Sequence, residues 1–104
     1  MVSKIDFGTG VKSKYIDIDL SKDISLEEQI DNLKEDLLQV VYDNDYLIDL
    51  GWYPEFDEKG SFKISVVKDY QWDNPAFQKN FSTLDELERY LCECIEVIQM
   101  ARNK

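Results

Sequence analysis

The stretch Tyr46–Val67, YLIDLGWYPEFDEKGSFKISVV, decides the fold. Its first run alternates Tyr46, Ile48, Leu50 and Trp52 with Leu47, Asp49, Gly51 and Tyr53. Its second alternates Phe62, Ile64 and Val66 with Lys63, Ser65 and Val67. Apolar residues repeating every second position, bounded by Pro54 and Gly60, predict two antiparallel strands with one buried face. That assigns Ile48, Leu50, Trp52, Phe62, Ile64 and Val66 to a core, and turns Asp49 and Tyr53 outward.

On either side of this hairpin the pattern is less uniform. Lys14–Leu20, KYIDIDL, alternates apolar Ile16, Ile18 and Leu20 with Tyr15, Asp17 and Asp19, which predicts a short strand. Ser25-Leu-Glu-Glu28 has the form of a capping box, in which the serine hydroxyl and the glutamate satisfy the free amides of a first helical turn. Leu26, Ile30, Leu33, Leu37 and Val41 follow at spacings of three and four, a helical stripe that ends at Asp43-Asn44-Asp45. Beyond the hairpin, Ala76–Ser82 predicts a further strand carrying Phe77 and Phe81. Thr83-Leu-Asp-Glu86 is a second capping box, and it opens a helix to about Ala101 with Leu84, Leu87, Leu91, Cys94 or Ile95, and Ile98 inside. The expected fold is therefore α+β, in the order β-α-β-β-β-α. A mainly antiparallel sheet of three to four strands carries two packed helices, in a single domain over residues 1–104 with 1–13 as a loosely ordered leader.

Composition narrows the function. A hydrophobic share of 43% is enough for a folded core, and no apolar run approaches the roughly 20 residues of a membrane-spanning helix. The N-terminal stretch has no continuous apolar segment of a secretory signal, so a cytoplasmic protein with no membrane partner is expected. Cys92 and Cys94, two apart on a helix, point to different sides and suit neither a disulfide nor a metal.

The net charge of −10 is unevenly placed. Asp23–Glu58 holds twelve acidic residues against the single base Lys34, a balance of −11, and the rest of the chain is +1. Such a block either serves solubility, by keeping copies of the protein apart, or steers a basic partner and accelerates its association. Direct binding of nucleic acid needs a basic stripe, which is absent.

Chemistry is sparsely indicated. There is no histidine, the commonest general base and zinc ligand. Gly8-Thr-Gly10 lacks the third glycine and the preceding strand of a phosphate loop. Asp49 with Glu55 or Asp57 has the residue types of a carboxylate pair for acid–base hydrolysis, but in so acidic a chain such a pair arises by chance. Asp43, Asp45, Asp49, Asp57 and Glu58 offer oxygen ligands for calcium, yet Asp43-Asn-Asp45 lacks the glycine and the terminal glutamate of an EF-hand loop. No cofactor, metal site or catalytic residue is expected. The aromatic residues Tyr53, Tyr70 and Trp72, set among acids, are better suited to anchoring a protein, because they offer large contact area at little entropic cost.

Asp49-Leu-Gly-Trp-Tyr-Pro54, Phe62-Lys-Ile-Ser-Val-Val67, Trp72-Asp-Asn-Pro75 and Thr83-Leu-Asp-Glu-Leu87 together resemble the immunity proteins of bacterial contact-dependent inhibition and related polymorphic toxin systems. The resemblance covers about residues 46–98. It implies a non-enzymatic, antitoxin-like inhibitor that binds a cognate toxin domain, often a nuclease with a basic groove. No family binding residue transfers position by position. The expected partner surface, Asp43, Asp45, Asp49, Tyr53, Glu55, Asp57, Glu58, Tyr70 and Trp72, thus rests on charge and aromaticity alone. A second expectation from the same charge is a small acidic regulatory adaptor, or nucleic-acid mimic, that binds a basic protein.

Overall fold

A computed structural model of the chain describes residues 5–103. Five strands, β1 (Val11–Ile16), β2 (Leu38–Tyr42), β3 (Tyr46–Tyr53), β4 (Ser61–Lys68) and β5 (Phe77–Phe81), form one antiparallel sheet in sequential order. A 19-residue helix, α1 (Leu84–Arg102), packs on one face. The class is α+β, as expected.

On the helix side the hairpin has the expected parity, but Leu47, Ser65 and Val67, assigned by the alternation to the other face, are buried as well. Ile48 pairs with Val66, Leu50 with Ile64 and Trp52 with Phe62, and all six side chains are buried beneath α1. The Trp52 ring meets Phe62 edge-on at 4.8 Å, and Phe62 stacks on Phe81 at 5.2 Å, which ties β3, β4 and β5 together. From α1 come Leu84, Leu87, Leu91, Cys94, Ile95 and Ile98, all buried. Thr83 caps it: the Glu86 N–H donates to Thr83 Oγ1 at 3.2 Å, while the Glu86 carboxylate accepts from the Thr83 hydroxyl at 2.9 Å and not from its backbone N–H. Burial pushes the Cys94 thiol up to about 12, whereas Cys92 is exposed on another side of the helix.

One expectation is overturned. The helix foreseen from Ser25 to Asp43 is instead a short 3-10 segment (Glu27–Asn32) followed by β2, so the sheet gains a strand and the fold keeps a single α-helix. The reason lies in the residues. Leu38, Val40 and Tyr42 also alternate with period two, and the β-branched Val40 and Val41 favour an extended chain once β3 is alongside to pair with it. Asp43-Asn44-Asp45 is then a hairpin turn, with Asp45 at φ 67°. The irregular segment is held by Gln29, a buried polar residue. Its side-chain N–H groups donate to the carbonyls of Ser21, Ile24 and Ser25, and its Oε1 accepts from the Ser21 N–H at 2.6 Å.

The N-terminal strand also begins earlier than the alternation suggests, at Val11, and ends at Ile16. Of the expected leader, Val11–Ser13 thus belong to β1, Phe7 is buried, and the Phe7 carbonyl accepts the Tyr42 hydroxyl at 2.6 Å. Residues 1–4 of that leader lie outside the described residues.

Between the 3-10 segment and β2 the chain bulges. The Trp52 N–H donates to the Lys34 carbonyl at 2.7 Å and the Leu37 N–H to the Leu50 carbonyl at 3.1 Å, so Glu35 and Asp36 are left over between two ladder bonds. The bulge folds across the sheet face opposite α1, where it covers Gly51. A β-carbon at position 51 would run into the Glu35 carbonyl, so only glycine fits there.

Candidate functional site

The nine residues singled out by charge and aromaticity fall into three places. Asp43 and Asp45 lie in the β2–β3 turn at one end of β3, next to the β4–β5 loop that carries Tyr70 and Trp72; the Asp69 N–H donates to the Asp45 carbonyl at 2.9 Å. Glu55, Asp57 and Glu58 lie in the β3–β4 connection at the other end. The steps of about 3.4 Å from the first to the last of the 8 residues of β3 put the two ends roughly 24 Å apart. Asp49 and Tyr53 sit on the open face of the sheet. No single patch contains all nine.

At the β3–β4 end the two flanks of the acidic block meet. The Phe56 N–H donates to the Leu33 carbonyl at 2.8 Å, which docks the hairpin tip against the 3-10 segment. Glu27, Glu28, Asp31, Glu35, Asp36, Glu55, Asp57 and Glu58 therefore share one end of the molecule, and all but Asp57 are exposed. Nearby bases are few: Lys34 is bonded to Asp17 at 2.8 Å, and Lys59 follows Glu58 directly. In the middle of this field Phe56 adopts φ 60° and leaves 52% of its surface exposed. The tip is built rather than loose. The Trp52 indole N–H donates to the Asp57 carbonyl at 2.8 Å, and Asp57 Oδ1 accepts the Lys59 N–H at 2.9 Å. Phe56, Glu35, Asp36 and the 3-10 acids are not in the sequence-based set. The only signal for them is the charge block itself, because the contact that gathers them spans 23 residues of chain.

The opposite end is compensated at Asp43 alone, while Asp45, Asp69 and Asp73 are exposed there. Asp43 is paired with the Arg102 guanidinium at the end of α1, and its N–H donates to the Gly10 carbonyl at 2.8 Å. Tyr70 and Trp72 are 66% and 49% exposed, and Tyr70 takes φ 58°.

The open face has its own order. Tyr15 pairs with Gln39, Gln39 with Asp49, Asp49 with Ser65, and Ser65 with Gln78, so one polar row crosses all five strands. Gln78 donates to Ser65 Oγ at 3.0 Å. Asp49 is the one charged member. Both Asp49 and Tyr53 are half-buried rather than fully outward. Burial pushes the Asp49 carboxyl above the usual carboxylate range and Asp36 adds to this, against opposing effects of the Gln39 amide and Lys63. Burial also raises the Tyr53 phenol, helped by Asp49, Glu35 and Asp36. The Lys63 ammonium lies 4.8 Å above the Tyr53 ring.

Among the described residues no group of three or more His, Cys, Asp or Glu side chains is placed to hold a metal ion, and no helix is long and apolar enough to cross a membrane. The geometry defines an open-faced antiparallel meander backed by one helix, with an acidic end and a polar row. Comparison with known proteins finds no matching family model, no matching curated protein and no matching solved structure.

Proposed function

We propose that the chain is a non-enzymatic immunity protein that binds and neutralises a cationic toxin domain in the cytoplasm, a nuclease with a basic groove being the best-fitting class. One observation carries this reading: eight carboxylates gathered at the β3–β4 end around the exposed ring of Phe56. An acidic rim around an aromatic anchor is the composition of a protein-binding surface. The uncompensated field of such an end draws in a positively charged partner and repels nucleic acid. The interface then centres on Glu55, Phe56, Asp57 and Glu58 and extends over Glu35 and Asp36 to Asp49 and Tyr53. In this reading Asp43, Asp45, Tyr70 and Trp72, at the other end of β3, lie away from the centre of the interface.

The test is co-expression with the product of the adjacent gene, followed by pull-down, growth rescue and stopped-flow association. The expected result is rescue of growth and an association rate that falls steeply once the Debye length shrinks to about 8 Å or below. A rate independent of salt sinks the steering argument. Capture of a DNA-binding regulator without growth rescue replaces the immunity reading by that of an acidic adaptor.

A further inference from the structure

We propose that the cavity on the open sheet face between Tyr15 and Asp49 receives an arginine side chain of the protein partner. The proposal rests on the reading of the chain as a protein-binding module and adds the chemistry of the group it recognises.

The cavity measures about 390 Å³ and is lined by Tyr15, Asp36, Leu38, Gln39 and Asp49. It sits at the β1 side of the polar row, where three of these residues are consecutive members of one register line. Two carboxylates enter it from different elements, Asp49 from β3 and Asp36 from the bulge. Neither takes part in an ion pair among the described residues, where the cations Lys22, Lys34 and Arg102 are paired with Asp85 and Glu88, with Asp17, and with Asp43. A half-buried carboxylate beside a second one is unfavourable without a counter-charge. Gln39 and Lys63 offset part of that cost at Asp49, and an incoming cation relieves more of it, so the cavity is complementary to positive charge.

Two features select a guanidinium among cations. Asp36 and Asp49 supply only two carboxylates, and among the described residues no third acidic or sulfur ligand joins them to complete a metal site. Tyr15, 51% exposed, places a ring at the rim. A planar guanidinium stacks on such a ring while forking to a carboxylate, whereas an ammonium offers only a compact, strongly hydrated charge. The same face shows that a ring here takes a cation, the Lys63 ammonium over Tyr53, four residues along β3 from Asp49. Among the described residues no cation lies over the Tyr15 ring, and Tyr15 lines the cavity.

The experiment titrates the full chain with hexa-arginine and hexa-lysine peptides at one ionic strength, reading affinity by calorimetry and location by amide NMR shifts. The arginine peptide is expected to bind about tenfold more tightly, the range of one charge-assisted hydrogen-bonded pair. Its shifts should centre on Asp36, Gln39 and Asp49. In Asp49→Asn, and separately in Tyr15→Ala, that preference should disappear while the lysine affinity is retained. Tyr15 lies on an edge strand and is half-exposed, so this second variant keeps the fold even if the first is perturbed. Equal affinities of the two peptides for the parent chain overturn the proposal, as does a preference that survives both substitutions. A cognate partner whose binding ignores both changes sinks the arginine cavity and leaves the immunity reading standing. Arginine selectivity in a chain that rescues no toxin-inhibited growth does the reverse.

Discussion

The two ends of β3 carry acids drawn from the same block of sequence and use them differently. At the β2–β3 turn, Asp43 is absorbed into the fold by its pair with Arg102, while Asp45 gives only its backbone carbonyl to the next loop and keeps its side chain exposed. At the β3–β4 connection, the carboxylates of Glu55 and Glu58 face solvent with those of Glu27, Glu28 and Asp31, and the structural bonds there are made by backbone carbonyls and the Trp52 indole. Charge density in the chain therefore says little about where a field exists. What matters is whether folding brings a cation to it. The contrast also assigns cost: an end that holds its acids together unpaired needs firm anchoring elsewhere, and here the anchors are Gly51, Gln29 and the Leu33–Phe56 bond.

The largest expected effect comes from removing the first anchor. Gly51→Ala pushes a methyl group into the Glu35 carbonyl, which is backbone and cannot rotate away. The bulge must lift, and with it the Lys34–Trp52 bond. A loss of about 3 kcal/mol in urea unfolding is expected, in the range of overpacked sites. Retained stability would mean that the bulge is not clamped against the sheet.

Gln29→Leu should cost somewhat less, about 2 kcal/mol, because the carbonyls of Ser21, Ile24 and Ser25 and the Ser21 N–H lose their partner in a covered site. Hydrogen exchange separates this from general damage. Amides of residues 21–33 should lose protection while those of β4 and α1 keep theirs. Uniform loss would make Gln29 an ordinary core residue and not the device that holds the acidic end.

These two residues also mark where the sequence stops being legible. The hairpin, β5 and α1 follow from one periodicity each, and their buried faces were readable residue by residue. Residues 25–43 satisfy two. Leu26, Ile30, Leu33, Leu37 and Val41 fit a helix, and Leu38, Val40 and Tyr42 fit a strand; the choice is made by pairing with Ile48 and Leu50, a contact that local spacing does not contain. The same holds for the candidate site. Charge named the block, but the division into a compensated and an uncompensated end depends on Arg102 reaching Asp43 and on Phe56 meeting Leu33.

The contrast between the ends can be broken by moving charge. Glu55→Lys with Glu58→Lys should slow association with a cationic partner about tenfold at low salt, roughly 1.4 kcal/mol in the encounter barrier, whereas Asp45→Lys at the far end should change the rate little. Stopped-flow rates at several salt concentrations decide it. Equal slowing from both ends would show that net charge alone governs the encounter. At the compensated end, Asp43→Ala removes its pair with Arg102. Because the aspartate is well exposed, a change within about 0.5 kcal/mol is expected in thermal unfolding.

The smallest effect has the opposite sign and tests the open face between the two ends. Burial raises the Asp49 carboxyl in the folded chain above its ordinary value of about 3.9. The folded state then holds that proton more tightly than the unfolded state, so stability falls as pH rises from about 4 through the raised folded value, and stays lower above it. Asp17 behaves in the contrary way, because its hydrogen bond to Lys34 lowers its carboxyl and favours the folded chain above the same pH. Asp49→Asn carries no charge at any pH. Relative to the parent chain it should be equally stable near pH 3 and more stable at pH 7, by roughly a few tenths of a kcal/mol, since a half-exposed group is screened by solvent. Comparing the two proteins at each pH cancels the repulsion among the other carboxylates. A variant less stable at pH 7 would mean that Asp49 already has a partner in the folded chain, and that its charge is structural, like that of Asp43, and not held open for a cation from outside.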